Sequence, residues 1–360
     1  CPQMAPIHFN LLESAARPLG YNLVVLKDCT PNTVDIGLRY VNNDACYPAI
    51  LTTGQMIEAL QSGKFNPDKT ALIMSQTGGG CRATNYIGFI RKALKDAGFE
   101  KVPIVSFNIV GMERSNGFKI TPKLIENILK AVIYGDIMQK MLYKNRVYEK
   151  NKGETQALYE LWMNRIKDLI KNGTYKQFKQ SMYDIVNDFE KIELDTSIQK
   201  PKVGIVGEIL IKYHPFGNNF VINKLEEEGA EVVMPDFMGF IYFICTHKIT
   251  FNTLIKLLKI LERDYKKALS LSKKHYMPPA DIWELEDSVK DILSIGNQTG
   301  EGWFLTAEMI EYIHHDVPNI ICVQPFACLP NHVVGKGVIK SIRAKYPDAN
   351  ISPVDYDPGA

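Results

Sequence analysis

The chain has 360 residues, of which 46% are hydrophobic and 23% charged, and its 42 basic and 40 acidic residues leave a net charge of +2. These proportions are typical of a globular protein, and the balanced charge gives no reason to expect a nucleic acid or a membrane surface as partner. The longest apolar run, Phe237–Cys245, is far shorter than the roughly 20 residues that span a bilayer. The length favours two domains. Because the chain starts on Cys1 and stops in the turn sequence Asp357–Ala360, we expect a fragment of a longer polypeptide.

The first region, residues 1–123, is predicted to be an α/β lobe. A short helix over Ile7–Ala16 precedes a strand over Asn22–Leu26. A second helix, with Asp44 as its predicted N-cap, extends to Gln61. The elements that follow are a strand over Ala71–Met74, a helix over Tyr86–Leu94 and a strand over Val102–Asn108.

The second region, residues 124–198, has apolar residues at helical spacing and is predicted to be a helical connecting segment. The third region, residues 199–360, again alternates strands with helices and is predicted to be a second α/β lobe. Its predicted strands are Lys202–Ile211, Glu231–Asp236, Asn319–Pro325 and Asn350–Asp355. Its predicted helices are Asn219–Glu228, Met238–His247, Thr253–Ser272, Ala280–Ile295, Leu305–His314 and Val333–Lys345. The expected fold class is therefore α/β, with a parallel sheet in each lobe.

One stretch, Thr70–Asn85, combines a strand, three glycines and Cys81 directly before a helix. It places a thiol at the carboxyl end of a strand, where ligands bind in open α/β sheets. The free N–H groups and the dipole of the following helix are expected to favour a thiolate over a thiol. The segment Thr77–Gly80 also suggests a phosphate-binding turn, but the Walker and dinucleotide spacings are missing.

The seven cysteines include no C-x-x-C pair, which argues against a zinc ribbon, a thioredoxin site and a ferredoxin-type run. With no secretory signal, we expect reduced thiols and a cytoplasmic location. Cys245 and Cys322 lie within apolar segments and are predicted to be small core residues.

Three other cysteines, Cys46, Cys81 and Cys328, each lie in a turn directly before a predicted helix. Each is therefore expected to point into the crevice at the carboxyl end of a sheet. Three thiolates without a nearby pair of histidines favour a soft metal centre, and an iron–sulfur cluster is the main hypothesis. The alternative is three unrelated buried thiols, and Cys29 is a weaker fourth candidate.

Four titratable side chains are weaker candidates for catalysis. His214 and His332 occur in predicted turns near the expected cleft, where each donates a hydrogen bond either to a ligand or to a loop. Glu208 and Glu301 follow strand and turn segments and are candidate proton donors. The pair His314–His315 is interpreted as a helix cap or a surface pair.

Five segments resemble the carboxyl-terminal part of the acyl-CoA dehydratase activase-related proteins, which are relatives of 2-hydroxyacyl-CoA dehydratase and benzoyl-CoA reductase subunits. The segments are Asn42–Pro48, Gln76–Tyr86, Gly300–Trp303, Gln324–His332 and Val354–Ala360. The resemblance covers essentially the whole chain.

This resemblance implies a [4Fe–4S] cluster in a cleft between two Rossmann-like lobes, with one iron left for water, substrate or sulfide. By motif, its ligands are Cys46, Cys81 and Cys328. Arg82 and the helix amino ends are expected to stabilise the negative cluster. A double-cubane cluster needs about six thiolates. A single cubane is preferred, because no motif supports the further thiols Cys1, Cys29 and Cys322.

The same resemblance implies an ATP-hydrolysing activase as electron donor and a small-molecule substrate, an acyl-CoA in the relatives, with a homodimer as an analogy. We therefore expect a low-potential iron–sulfur redox component of an ATP-dependent dehydratase or reductase system, of the kind found in anaerobic metabolism. Two other hypotheses are a non-catalytic domain that docks or regulates an activase, and a zinc-stabilised α/β domain.

Overall fold

The structure is a computed structural model that describes residues 1–27, 29–42, 44–108, 113, 117–197, 199–246 and 252–359. Asn43 and Ala360, which belong to two of the motifs above, lie outside the described residues, as does His247 at the end of a predicted helix. In the described residues, no helix is long and apolar enough to cross a membrane.

The helices occupy most of the described chain. They are α1 Pro6–Ala16, α2 Pro31–Tyr40, α3 Tyr47–Gln61, α4 Tyr86–Asp96, α5 Pro122–Arg146, α6 Glu154–Asn172, α7 Tyr175–Glu190, α8 Ile209–Tyr213, α9 Val221–Glu227, α10 Phe237–Thr246, α11 Asn252–Ser270, α12 Ile282–Val289, α13 Gly302–His314, α14 Leu329–Asn331 and α15 Ile339–Lys345. The strands are β1 Leu72–Ser75, β2 Ile104–Phe107, β3 Lys202–Gly207, β4 Glu231–Val233, β5 Asn319–Pro325 and β6 Asn350–Tyr356.

The strands of the described residues form two parallel sheets, which confirms the predicted α/β class. One sheet contains β1 and β2, and the other has the order β4-β3-β5-β6. In the larger sheet Val203 pairs with Asn319, and Gly207 pairs with Val323. The carboxyl ends of β3 and β5 therefore lie side by side, and the segments that follow them emerge at the same edge of the sheet.

Three predicted elements differ in the structure. Asn22–Leu26 is not a strand, because no strand of the described residues pairs with it. It forms a backbone hydrogen bond with the first residue instead, in which Leu26 N–H donates to the Cys1 carbonyl at 2.8 Å. The predicted strand Lys202–Ile211 ends at Gly207, after which Glu208 caps the short helix α8. The predicted helix Val333–Lys345 is divided into a π-helical turn, His332–Lys336, and α15.

Two helices in the amino-terminal region also differ from the prediction, one because it was missed and one because it begins at a different residue. The helix α2 was not predicted, although Thr30 and Thr33 form a capping box around Pro31 at its first turn. The N-cap of α3 is Cys46 and not Asp44, because Pro48 occupies the first turn and fixes where the helix begins.

The apolar core combines residues from distant parts of the chain. One buried cluster joins α3, α4 and β1 to β3, β4 and β5, and it includes both Cys46 and Cys328. A second cluster packs α1 against the long helix α5 and the helices of the central region. The amino-terminal region therefore packs against both the larger sheet and the central helices.

The carboxylate of Asp136, in the middle of α5, connects three of these elements. Its side chain is fully buried and accepts hydrogen bonds from His8 Nε2 at 2.8 Å, Phe237 N–H at 2.7 Å and Met238 N–H at 3.1 Å. His8 approaches α5 closely because the neighbouring position is glycine: a Cβ on Gly135 would lie 2.1 Å from the His8 ring. Asp136 therefore holds α1 and the start of α10 against α5.

We expect Asp136→Ala to lower the free energy of unfolding by about 3–5 kcal/mol, because it leaves three buried donors without an acceptor. Urea denaturation followed by circular dichroism measures this loss. Asp168→Ala, on the exposed surface of α6, is the matched control and should change stability by less than about 0.5 kcal/mol. Equal stability of the Asp136 and Asp168 variants would contradict this role.

Candidate metal centre

The three cysteines predicted as ligands each occupy the position directly before a helix. Cys46 is the N-cap of α3, Cys81 precedes the 3₁₀ turn Arg82–Asn85 that leads into α4, and Cys328 is the N-cap of α14. The backbone N–H groups two or three residues further on, of Ala49, Ala83 and Asn331, face the three sulfurs and lower their pKa values. The predicted local context of all three thiols is confirmed.

The glycine turn before Cys81 depends on backbone freedom. Gly78 and Gly79 have φ values of +81° and +82°, which a side chain would strain. Gln76 braces this turn, because its Nε2 donates to the Thr84 carbonyl at 2.9 Å and its Oε1 accepts from Ser106 Oγ at 2.8 Å. The strand β1 is thereby linked to the 3₁₀ turn that follows Cys81.

Contacts between the cysteine-bearing loops bring them to one place. The Arg82 guanidinium donates to the carbonyl of Asp44, two residues before Cys46. On the other side, a Cβ on Gly80 would lie 3.5 Å from Thr299, and one on Gly300 would lie 3.0 Å from the Pro330 ring. The turn that ends at Glu301 therefore lies against both the Cys81 turn and the segment after Cys328.

A pair of buried carboxyl groups lies beside the thiols. Glu208 caps α8, where its Oε2 accepts from Leu210 N–H at 2.9 Å and Ile211 N–H at 2.8 Å. Glu301 precedes α13, and its Oε1 accepts from Ile209 N–H at 3.0 Å. These two candidates from the sequence are brought together, although they lie 93 positions apart in the chain (301 − 208).

Asn331 bridges the two carboxyl-bearing segments. With its amide oriented to satisfy both neighbours, Asn331 Nδ2 donates to Glu301 Oε2 at 2.8 Å and its oxygen accepts from Glu208 N–H at 3.1 Å. Because Asn331 is three residues after Cys328, this bridge fixes the Cys328 segment on the edge of the larger sheet.

The carboxyl pair retains a proton at neutral pH. Burial, followed by the charge of Glu301, raises the pKa of Glu208 to about 8. Burial also raises the pKa of Glu301, while Ile209 N–H and the Lys212 ammonium oppose that rise. A protonated carboxyl group is therefore present beside the three sulfurs at pH 7.

The thiols are protonated as well, which corrects the expectation that the helix amino ends favour thiolates. Burial raises the pKa of Cys81 to about 12, and it also raises the pKa values of Cys46 and Cys328. The negative charge of Glu208 acts in the same direction on all three, and that of Glu301 does so on Cys81 and Cys328. Desolvation is the largest cause at all three thiols, including Cys46 at the start of the long helix α3, so it outweighs the dipole.

Tyr86 is a site residue that the sequence did not identify as functional. Its hydroxyl lies 2.9 Å from Cys46 Sγ, and burial raises its pKa well above the ordinary value. The phenol thus stays protonated, and the hydroxyl and the thiol share one hydrogen bond in which either group can be the donor. Its position at the start of α4, five residues after Cys81, did not indicate a contact with Cys46, because a tyrosine at such a position is equally typical of the apolar core.

The two histidine candidates form hydrogen bonds with groups other than the carboxyl pair. His214 Nδ1 accepts from Gly217 N–H at 3.1 Å, so Nε2 carries the hydrogen and faces Cys29 Sγ at 3.6 Å. Burial lowers the pKa of His214 to about 4, so its ring is neutral. His332 Nδ1 contacts the Cys328 carbonyl at 2.8 Å, and its side chain is partly exposed.

The remaining cysteines have surroundings different from those of the three predicted ligands. Cys245 and Cys322 are buried in the core, as predicted. Cys29 Sγ accepts from Gln55 Nε2 at 2.9 Å, beside His214. Across the described ranges, no group of three or more His, Cys, Asp or Glu side chains is close enough to hold a single metal ion.

No family model matches this chain, and no curated protein matches it.

We expect the free energy of unfolding of the metal-free protein to fall as the pH rises from about 5 to about 8. Over this range the unfolded Glu208 carboxyl is ionised, with its usual pKa of 4.5, whereas the folded one keeps its proton up to a pKa of about 8. Urea unfolding at several pH values measures the slope. Asp236 and Glu262 have pKa values raised to about 6 and 7 and contribute slopes of the same sign, so variants must be compared with the wild type.

Glu208→Gln keeps an acceptor for the α8 N–H groups but removes the titration, so its slope should be smaller than that of the wild type. Glu227→Gln, on the exposed surface of α9, is the control and should leave the slope unchanged. A Glu208→Gln slope equal to that of the wild type would mean that Glu208 is not the titrating group.

Proposed function

We propose that Cys46, Cys81 and Cys328 hold an iron–sulfur cluster and that the chain is a low-potential redox component. The observation that supports this proposal is that three thiols each precede a helix and each come under the electrostatic influence of the buried Glu208 carboxyl group. In this proposal the cluster lies in a cleft between two Rossmann-like lobes, with two ligands from the amino-terminal lobe and one from the larger sheet.

The donor set fits such a cluster. Thiolates are the usual ligands of iron–sulfur clusters, and a cubane is larger than a single ion, so its ligands need not meet at single-ion distances. Backbone N–H groups that face the sulfurs, and a hydroxyl such as that of Tyr86 beside Cys46, are the kind of hydrogen-bonding groups that stabilise such centres. Because the thiols of the metal-free protein are protonated, loading of the cluster releases about three protons and is favoured by rising pH.

The positions of the other cysteines support a single [4Fe–4S] cluster over a double cubane. Cys322 is fully buried within β5, and Cys29 lies against Gln55 and His214. Cys1 Sγ lies 3.5 Å from the Pro2 carbonyl, and its amino group donates to Val24. A cubane held by these three cysteines would leave one iron without a protein ligand, which would supply Lewis-acid and one-electron chemistry.

The carboxyl pair provides the proton chemistry of this proposal. Glu208 holds a proton at neutral pH within a buried, sulfur-lined site, and it is the candidate general acid for a bound small molecule. Glu301 and Asn331 act as positioning residues, since they fix the carboxyl groups and the Cys328 segment. In the resembled family the substrate is an acyl-CoA and the electron donor an ATP-hydrolysing activase, and we propose the same classes here.

We expect the anaerobically reconstituted wild type to contain about four iron and four sulfide per chain, with the visible absorption of a cubane cluster. Cys81→Ser should lose most of that iron and sulfide, because it removes one of three ligands. Cys245→Ala, a core cysteine on α10, is the control and should load like the wild type. Iron-free wild type, or full loading of Cys81→Ser, would contradict the proposal.

A further inference from the structure

A cavity of about 300 Å³ lies at the amino edge of the larger sheet. Lys202 and Glu231, the first residues of β3 and β4, are partners in the sheet, and both line the cavity. The candidate metal centre lies at the other end of these strands, because Glu208 directly follows β3. The six residues of β3 separate the two ends by ~20 Å. The cavity is therefore separate from the thiol site.

The walls of this cavity come from several elements and include buried polar side chains. Besides the sheet, α5, the end of α11, the loop that follows α11 and the end of α13 contribute to the lining. Gln139 and Lys140 of α5 line it although they are only 2% and 9% exposed. Its volume is at the lower end of the range of about 300–1,000 Å³ that is typical of small-molecule sites.

Positive side chains outnumber negative ones in the lining. Three lysines line the cavity together with a single carboxylate, that of Glu231, and these lysines are Lys140, Lys144 and Lys202. Lys140 Nζ lies 3.1 Å from Asp236 Oδ1, and Lys144 Nζ lies 2.9 Å from Glu231 Oε1. These two ion pairs account for two of the lysines and leave one positive charge.

Lys202 carries the charge that remains. Both carboxylate oxygens of Glu231 already have partners, because Oε1 pairs with Lys144 and Oε2 accepts from the Tyr148 hydroxyl at 2.9 Å. Although Lys202 is the neighbour of Glu231 in the sheet, its ammonium group forms no hydrogen bond or ion pair with a residue of the described ranges. The ammonium group is therefore available to a ligand in the cavity.

The rest of the lining is largely aromatic and aliphatic. Tyr143 of α5 and Tyr276 of the loop after α11 contribute to it, as do Leu269 and Met277. Water can solvate the Lys202 ammonium group, but it gains little from such a wall. A ligand with an apolar body and one negative group would cover both parts of the lining.

We propose that this cavity binds a small organic anion, with its carboxylate or phosphate group on Lys202 and its apolar body against Tyr143 and Tyr276. The inference does not depend on the proposed redox function, since no thiol or carboxyl group of the candidate metal centre takes part. Bound ~20 Å from the thiols, such a ligand stabilises the folded chain without joining the chemistry of that centre.

The test measures binding of four probes to the purified full chain by isothermal titration calorimetry. The probes 3-phenylpropionate and phenyl phosphate have both an apolar body and an anionic group. Inorganic phosphate has only the charge, and benzyl alcohol has only the apolar body. At least one of the first two should bind about tenfold more tightly than either of the others, and their comparison shows which anionic group the cavity prefers.

Lys202→Met keeps the length of the side chain and removes its charge. It should raise the dissociation constant of the tighter probe about tenfold, because a hydrogen bond to a charged group is lost, and it should leave the binding of benzyl alcohol unchanged. Lys224→Met, on the exposed surface of α9, is the matched control and should bind all four probes like the wild type.

A second variant, Ser270→Trp, tests the cavity without a change of charge. Ser270 is the exposed last residue of α11 and lines the cavity, so an indole there fills the space without disturbing the core. This variant should bind none of the probes. Wild type that binds no probe, or wild-type binding of the anionic probes in either Lys202→Met or Ser270→Trp, would overturn the proposal. The measurement needs no iron, so its failure and the failure of cluster loading are distinguished.

Discussion

The bridge from Glu208 through Asn331 to Glu301 is the interaction on which the candidate site depends. It joins the end of β3, the start of α13 and the segment after Cys328, and none of these is close to another in the sequence. A buried amide that satisfies a carboxylate and a backbone N–H at once tolerates little displacement, because each lost partner leaves a desolvated polar atom. The third thiol is consequently held in a fixed position against the first two.

Burial also decides the ionisation of the site. The usual reasoning from helix dipoles would make the three cysteines thiolates, but their loss of water and the neighbouring carboxyl groups keep them protonated. The Lys212 ammonium, which is paired with Glu308, partly offsets the carboxyl charges. The three thiols and at least one of the two carboxyl groups are therefore uncharged at neutral pH.

Local features of this fold were accessible from the sequence, and long-range ones were not. The strand, glycine turn and helix around Cys81 and the bounds of β5 follow from apolar runs and glycine positions. Asn22–Leu26 has the same apolar character, but it finds no neighbouring strand in the described chain. The contact between the Glu208 and Glu301 segments depends on the packing of α13 beside β3. The sequence around neither residue indicates that packing. The contact of Tyr86 with Cys46 likewise arises from the packing of α3 against α4.

The order of the strands in the larger sheet has a consequence for assembly. Val203 of β3 pairs with Asn319 of β5 across 116 positions (319 − 203), and Cys328 follows directly after β5. Closing so long a loop is slow, since its entropy is lost before the contacts form. Cys46 and Cys81, by contrast, are positioned by short connections within the amino-terminal region. During synthesis the first two thiols are therefore in place well before the third, and a nascent chain exposes an incomplete site until β5 has joined the sheet.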